Sequence, residues 1–213
     1  MKLNNVKWSI FTIIAIGNFL GMLDSTIVNL ALYPMARDLG VNISNVQWVI
    51  IAYTLVLTVF LPFWGKIGDI VPKNKLYATG FALFACGSFL NCFAQNLPML
   101  IVFRCVEALG ASIVISNASS VIASLFKGKD RGKALGLNGC IVAVGGLLGP
   151  SLGGMLMQIF NWHAIFLPSV PIALFGVYYS YKMVPSNIVQ KEKLKFVYPG
   201  FIYFTKSLFA LLL

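Results

Sequence analysis

The sequence predicts an all-α membrane protein, a bundle of six membrane-spanning helices followed by the start of a seventh. Three observations carry that reading. First, 59% of the 213 residues are hydrophobic and only 10% are charged, with a mean hydropathy of +0.86; a water-soluble domain carries about 25% charged residues. Second, six apolar runs approach or exceed the roughly 20 helical residues that a bilayer core requires. Third, the 16 Lys and Arg, which outweigh 6 Asp and Glu to give a net charge of +10, fall between the runs and almost all on one side of them. A nucleic-acid binder of that charge would gather it into a stripe or groove, so no nucleic-acid partner is expected and the first partner is the lipid bilayer.

The runs lie at about 9–32, 47–65, 76–94, 97–125, 134–160 and 165–181. A seventh begins near Tyr198 and carries Lys206 in its middle. Those 16 residues would rise about 24 Å as a helix. The expected organisation is therefore a six-span bundle over 1–182, a linker over 183–197 and an incomplete seventh span over 198–213. Orientation follows from the basic loops. With the N-terminus in the cytoplasm, the cytoplasmic side holds Lys2, Lys7, Lys66, Lys73, Lys75, Lys127, Lys129, Arg131, Lys133, Lys182, Lys191, Lys193 and Lys195, and only Arg37 lies in an outer loop. A plasma-membrane, multi-pass location is expected. The first run is too long for a cleaved leader, contains Asp24 and has no small-residue cleavage site, so it should remain as the first span.

That first run holds the first unusual residue. An Asp at the centre of a spanning helix costs about 2.5–3.5 kcal/mol on insertion scales. Asp24 is either a structural hydrogen-bond acceptor or faces a wet cavity or a cation. In the outer loop that follows, Ser44-Asn45-Val46-Gln47 has the form of a capping box opening the second span. The fourth run carries Arg104 and Glu107, three residues apart and so on one helical face. They either neutralise one another, which lowers the cost of both in lipid, or form a site whose carboxyl group can take up and release a proton. Counted from the outer ends of their helices, Asp24, Arg104 and Glu107 lie about 12, 10 and 15 Å deep, where carriers keep their sites. Depth alone does not say that the two helices face each other.

In the fifth run, Gly145, Gly149 and Gly153 recur every four residues and form a side-chain-free ridge, with Gly146, Pro150 and Gly154 beside it. Bare glycines let another helix approach closely. Pro150 has no N–H for the carbonyl of Gly146, so a kink is expected there. His163, in the short outer turn before the sixth run, reads as a solvated loop residue. Cys86, Cys92, Cys105 and Cys140 lie inside runs and read as small packing residues. The sequence has no nucleophile–base spacing, no metal-ligand spacing and no phosphate loop; no enzyme activity, cofactor or metal is expected.

Several of these stretches resemble motifs of the major facilitator superfamily, in the right order along essentially the whole chain. The run 145–154 resembles the G-x-x-x-G-P-x-x-G-G antiporter motif of its exporters. Residues 23–34 are similar to the L-D-x-T-I-V-N-x-A-L-P motif of the 14-span drug:proton antiporters, with Tyr33 inserted before the proline. The loop 65–76 resembles the signature G-x-L-A-D-R-x-G-R-K, with Gly65, Asp69 and Lys73 in register and Ile70 and Pro72 departing from it. Residues 100–111 resemble L-x-x-x-R-x-x-Q-G-x-G-A, with Arg104 and Gly110 matching and Glu107 in place of the glutamine. Residues 162–172 resemble the opening of that subfamily's sixth span. The resemblance implies that the first and fourth helices line a central cavity. It further implies that Asp24, Arg104 and Glu107 handle protons or a small lipophilic or cationic substrate, and that Gly65, Asp69 and Lys73 belong to a cytoplasmic gating loop. The chain would then be the N-terminal half of a proton-coupled exporter, with a C-terminal half as its missing partner. The alternative is a non-transporting fragment, or a half that works only by assembling with other membrane helices.

Overall fold

A computed structural model describes residues 2–68 and 70–183. It is built of eight α-helices among the described residues: α1 (Lys2–Asp38), the short α2 (Ile43–Val46), α3 (Trp48–Ile67), α4 (Lys73–Asn91), α5 (Leu97–Ser116), α6 (Ala118–Leu125), α7 (Lys129–Ile159) and α8 (Ser169–Met183), with a 3-10 turn at Trp162–Phe166 before α8. Each expected span has its helix. The expected linker from residue 184 on, the seventh span and Asp69 lie outside the described residues.

The differences from the sequence reading have local causes. α1 outruns the expected span at both ends and passes through Pro34, four residues before its end. The expected capping box does not form. Asn42 is the residue in extended conformation before α2, and Ser44 lies inside the turn; neither makes a side-chain cap. The expected fourth span is broken at Asn117, where backbone φ −101° and ψ −3° separate α5 from α6. The Asn117 side chain donates to the Trp64 carbonyl at 3.1 Å and to Ser116 Oγ at 3.0 Å, so tertiary partners compete with the helical ladder there. The expected sixth span starts as the 3-10 turn, and α8 begins only beyond Pro168.

Among the described residues, five stretches are long and apolar enough to cross a bilayer: Lys7–Asp38, Ile43–Ile67, Leu97–Ala123, Lys129–Ile159 and Trp162–Lys182. The expected third span, α4, falls short in apolarity because its 19 residues include Asn74, Lys75, Ser88 and Asn91. At about 1.5 Å per residue it is still about 28 Å long. It lies between α5 and α8, and much of its surface is covered by protein rather than by lipid.

Two apolar clusters make the core. One, around Ile10, Ile14, Leu20, Phe81, Phe84, Ala108 and Ile122, lies toward the end that carries the basic loops. The other, around Ile27, Met35, Val49, Leu100, Trp162 and Phe166, lies toward the opposite end. α4 and α5 approach to backbone contact: a Cβ on Gly110 would fall on the backbone of Phe84 and Gly80, and one on Gly87 would lie 2.5 Å from the Glu107 amide nitrogen. At the far end, Trp162 Nε1 donates to Asp38 Oδ2 at 2.7 Å. His163 is half-buried rather than solvated, stacked on Trp162 with centroids 3.6 Å apart and with Nε2 2.9 Å from the Ala94 carbonyl oxygen.

Candidate functional site

Between the two apolar clusters the chain buries three charged side chains. Asp24 follows Leu23 of one cluster and sits one turn from Leu20 of the other; Arg104 lies between Leu100 and Ala108 in the same way. Asp24 comes from α1, Arg104 and Glu107 from α5, and the three are 2%, 1% and 0% exposed. A single nitrogen, Arg104 Nη1, donates to Asp24 Oδ1 at 2.9 Å, to Asp24 Oδ2 at 2.8 Å and to Glu107 Oε2 at 2.7 Å. The pairing of Arg104 with Glu107 on one face was legible in their spacing. The structure adds that α1 faces α5 and brings Asp24 to the same atom.

Neutral residues complete the shell, and sequence reasoning passed over them. Asn91, from α4, donates its amide to Glu107 Oε2 at 2.6 Å. The Tyr53 ring, from α3, lies under the guanidinium, 4.2 Å from the Arg104 Cζ to the ring centroid, and the Phe166 ring is at 5.7 Å; a desolvated cation over an aromatic face gains about 2 kcal/mol or more. The signal that could have found Asn91 is the one that found Asp24, a polar side chain inside an apolar run. An amide carries less weight on a hydropathy scale. Four buried atoms around the cluster make no hydrogen bond within the described residues: Arg104 Nε, Glu107 Oε1, Asn91 Oδ1 and Tyr53 Oη. Buried polar atoms are nearly always paired, so unspent bonding capacity is concentrated at this point.

With every group ionised, two carboxylates and one guanidinium have formal charge −1; one added proton makes the triad neutral. The arrangement thus has two charge states that differ by one proton. Of the expected gating-loop residues, Gly65 lies inside the last turn of α3 and is half-buried, while Lys73 opens α4 and is buried, with Nζ 3.1 Å from Asn117 Oδ1, so Lys73 is tied to the break between α5 and α6. On α7, Gly145, Gly149 and Gly153 are buried against α1. A Cβ on Gly145 would lie 2.9 Å from the Phe19 carbonyl oxygen, one on Gly149 would collide with Thr26 Oγ1, and one on Gly153 would touch Ile27 at 3.4 Å. The ridge therefore serves a contact inside this bundle. Gly154 and the exposed Pro150 lie beside it, and α7 continues through Pro150 as one helix.

A bundle of apolar helices thus buries a charged triad where its first and fourth spanning segments meet. The chain belongs to the Major Facilitator Superfamily, whose pattern it matches over residues 14–211. It is 37% identical over 207 residues to the riboflavin transporter RibZ of Clostridioides difficile, covering 97% of this chain and 45% of that protein. It is 33% identical over 168 residues to the multidrug transporter protein MdtP of Bacillus subtilis, covering 79% of this chain and 31% of that protein. Among solved structures, the proton:xylose symporter XylE superposes with a TM-score of 0.75 at 13% identity, covering 86% of this chain and 46% of that one. The peptide transporter POT gives 0.72 at 15% identity, over 98% and 44%. The fold is that of the N-terminal half of this superfamily, and the chain spans less than half the length of the curated relatives it matches.

Proposed function

We propose that this chain is the N-terminal half of a proton-coupled exporter of the 14-span drug:proton type, set in the plasma membrane with its N-terminus in the cytoplasm. The observation that carries the reading is the buried triad. Two carboxylates from two different helices share one guanidinium nitrogen, and one proton switches their net charge. A proton arriving from outside adds to Asp24 or Glu107 and loosens the grip of Arg104 between α1 and α5. The change in helix contact is passed to α7 through the glycine ridge, and the two halves of the complete carrier rock about the site. The loop of Gly65, Asp69 and Lys73 acts at the cytoplasmic end, with Lys73 anchored on Asn117. The motif resemblance implies a lipophilic or cationic substrate and a relative's name points to a flavin; the coupling scheme is the same for either.

The test is Asp24→Asn in the complete carrier, reconstituted in vesicles with an imposed proton gradient. Gradient-driven efflux is expected to be abolished. Efflux at the parental rate would remove Asp24 from the mechanism. A second reading is favoured by length: the chain covers 45% of its riboflavin-transporting relative, and alternating access requires two halves around one site. In that reading the 213 residues alone carry nothing across a membrane and act only with other membrane helices. Flux through vesicles holding only this chain would exclude it.

A further inference from the structure

The triad is sealed from solvent. Among the described residues, Asp24 and Glu107 are the only carboxylates in the interior of the spans, and both are sealed and committed to Arg104. α1 presents something different on its other side. Asn18, Ser25 and Asn29 are seven and four residues apart, which places them on one helical stripe, and none of them is buried. Asn18 Nδ2 donates to Oδ1 of Asn138, from α7, at 2.9 Å across a half-buried seam. That single bond leaves the Asn18 Oδ1 acceptor and the Asn138 amide donors without another protein partner among the described residues.

The seam opens into a crevice beside the pair. A cavity of about 240 Å³ lies between α1 and α7, lined by Phe11, Thr12, Ala15, Ile16, Phe19 and Ile141. Ala15 and Phe19 lie within one turn of Asn18, and Ile141 within one turn of Asn138. On the same stretch of α7, a Cβ added at Gly132, Gly136 or Gly139 would meet nothing within 4 Å. The crevice therefore has aromatic and aliphatic walls within one helical turn of an uncharged donor–acceptor pair, and ligand sites are commonly apolar with a few polar groups to orient the ligand.

We propose that Asn18 and Asn138 form a recognition site for a neutral, planar heteroaromatic substrate bearing an imide- or lactam-type edge, and that the charged triad does not touch it. The proposal rests on the carrier reading above. The ring N–H donates to Asn18 Oδ1, a ring carbonyl accepts from Asn138 Nδ2, and the ring body lies against Phe19 and Ile141. The substrate uses the two groups that the Asn18–Asn138 bond leaves open, so that bond stays in place and closing the site spends no ion pair.

The test is equilibrium binding to the whole 213-residue chain in lipid nanodiscs. The probes are riboflavin, whose ring ends in such an imide, its N3-methyl derivative, which has lost the imide N–H, and tetraphenylphosphonium, a lipophilic cation. Riboflavin should bind saturably, the N3-methyl compound about tenfold more weakly, and tetraphenylphosphonium should not displace it. Asn18→Leu with Asn138→Leu removes both hydrogen-bonding partners together, which spares the fold, and should weaken riboflavin about tenfold. Asn138→Ala alone is the second variant, and unchanged helical circular dichroism verifies folding in each. The site is overturned by the absence of saturable riboflavin binding, by equal affinity in the double variant, or by displacement by the cation. The coupling reading fails separately, through persistent gradient-driven efflux in Asp24→Asn.

Discussion

α1 has a closed side and an open side, and so does α7. On the closed side of α1, Asp24 is walled in by α5 with Arg104 and by the α3 ring of Tyr53; on the closed side of α7, Gly145, Gly149 and Gly153 lie directly on α1. The open sides carry Asn18, Ser25 and Asn29 on one helix and Gly132, Gly136 and Gly139 on the other. The contrast separates two jobs by their physics. An ion in a low-dielectric interior is tolerable only while its partners hold it, and breaking such a pair is strongly destabilising. A half-buried amide exchanges one hydrogen bond for another at little net cost. Charge is thus kept where its partners hold it, and neutral groups lie on the half-buried and exposed stripe.

The contrast is broken most severely at Arg104. Arg104→Leu leaves Asp24 and Glu107 buried without their cation and should destabilise the bundle by about 3–5 kcal/mol, read as a drop in the thermal unfolding midpoint in nanodiscs. Adding Asp24→Asn and Glu107→Gln to the same chain should restore most of that loss. An Arg104→Leu chain as stable as its parent would mean that the closed side is wet. Asn91→Ala is a milder strike at the same face. It removes the 2.6 Å bond to Glu107 and should cost about 1.5–3 kcal/mol, the range for hydrogen bonds to charged groups.

The two sides were unequally legible in the sequence. Spans were readable because a bilayer forces the backbone to bond to itself over a fixed length; Asp24, Arg104 and Glu107 stood out because ions in such runs are expensive. Their meeting was not readable, since depth along a helix says nothing about its rotation. Tyr53 and Asn91 were missed because one is an ordinary aromatic and the other a neutral amide, and both acquire their meaning only from α5. The break at Asn117 depends on Trp64 and Lys73, which are distant in sequence, so no local signal announces it. Asn18 and Asn138 are 120 residues apart and equally silent. The glycine ridge showed that α7 touches a helix closely, but not that this helix is α1.

The gentlest test asks the two sides of α7 to respond with opposite signs to one methyl group. Gly149→Ala puts a Cβ into Thr26 Oγ1 and toward the Leu23 carbonyl, so α7 must lift off α1 or Thr26 must rotate; overpacking of this kind costs about 1–3 kcal/mol. At Gly136 the same Cβ meets open space, so only the backbone preference remains. There Gly→Ala should stabilise the helix by about 0.5–1 kcal/mol. Thermal midpoints of the two variants in one lipid composition should move in opposite directions from the parent, the Gly149 change being the larger. Two shifts of the same sign would mean that α7 does not distinguish a packed side from an open one, and the crevice beside Asn138 would have to close.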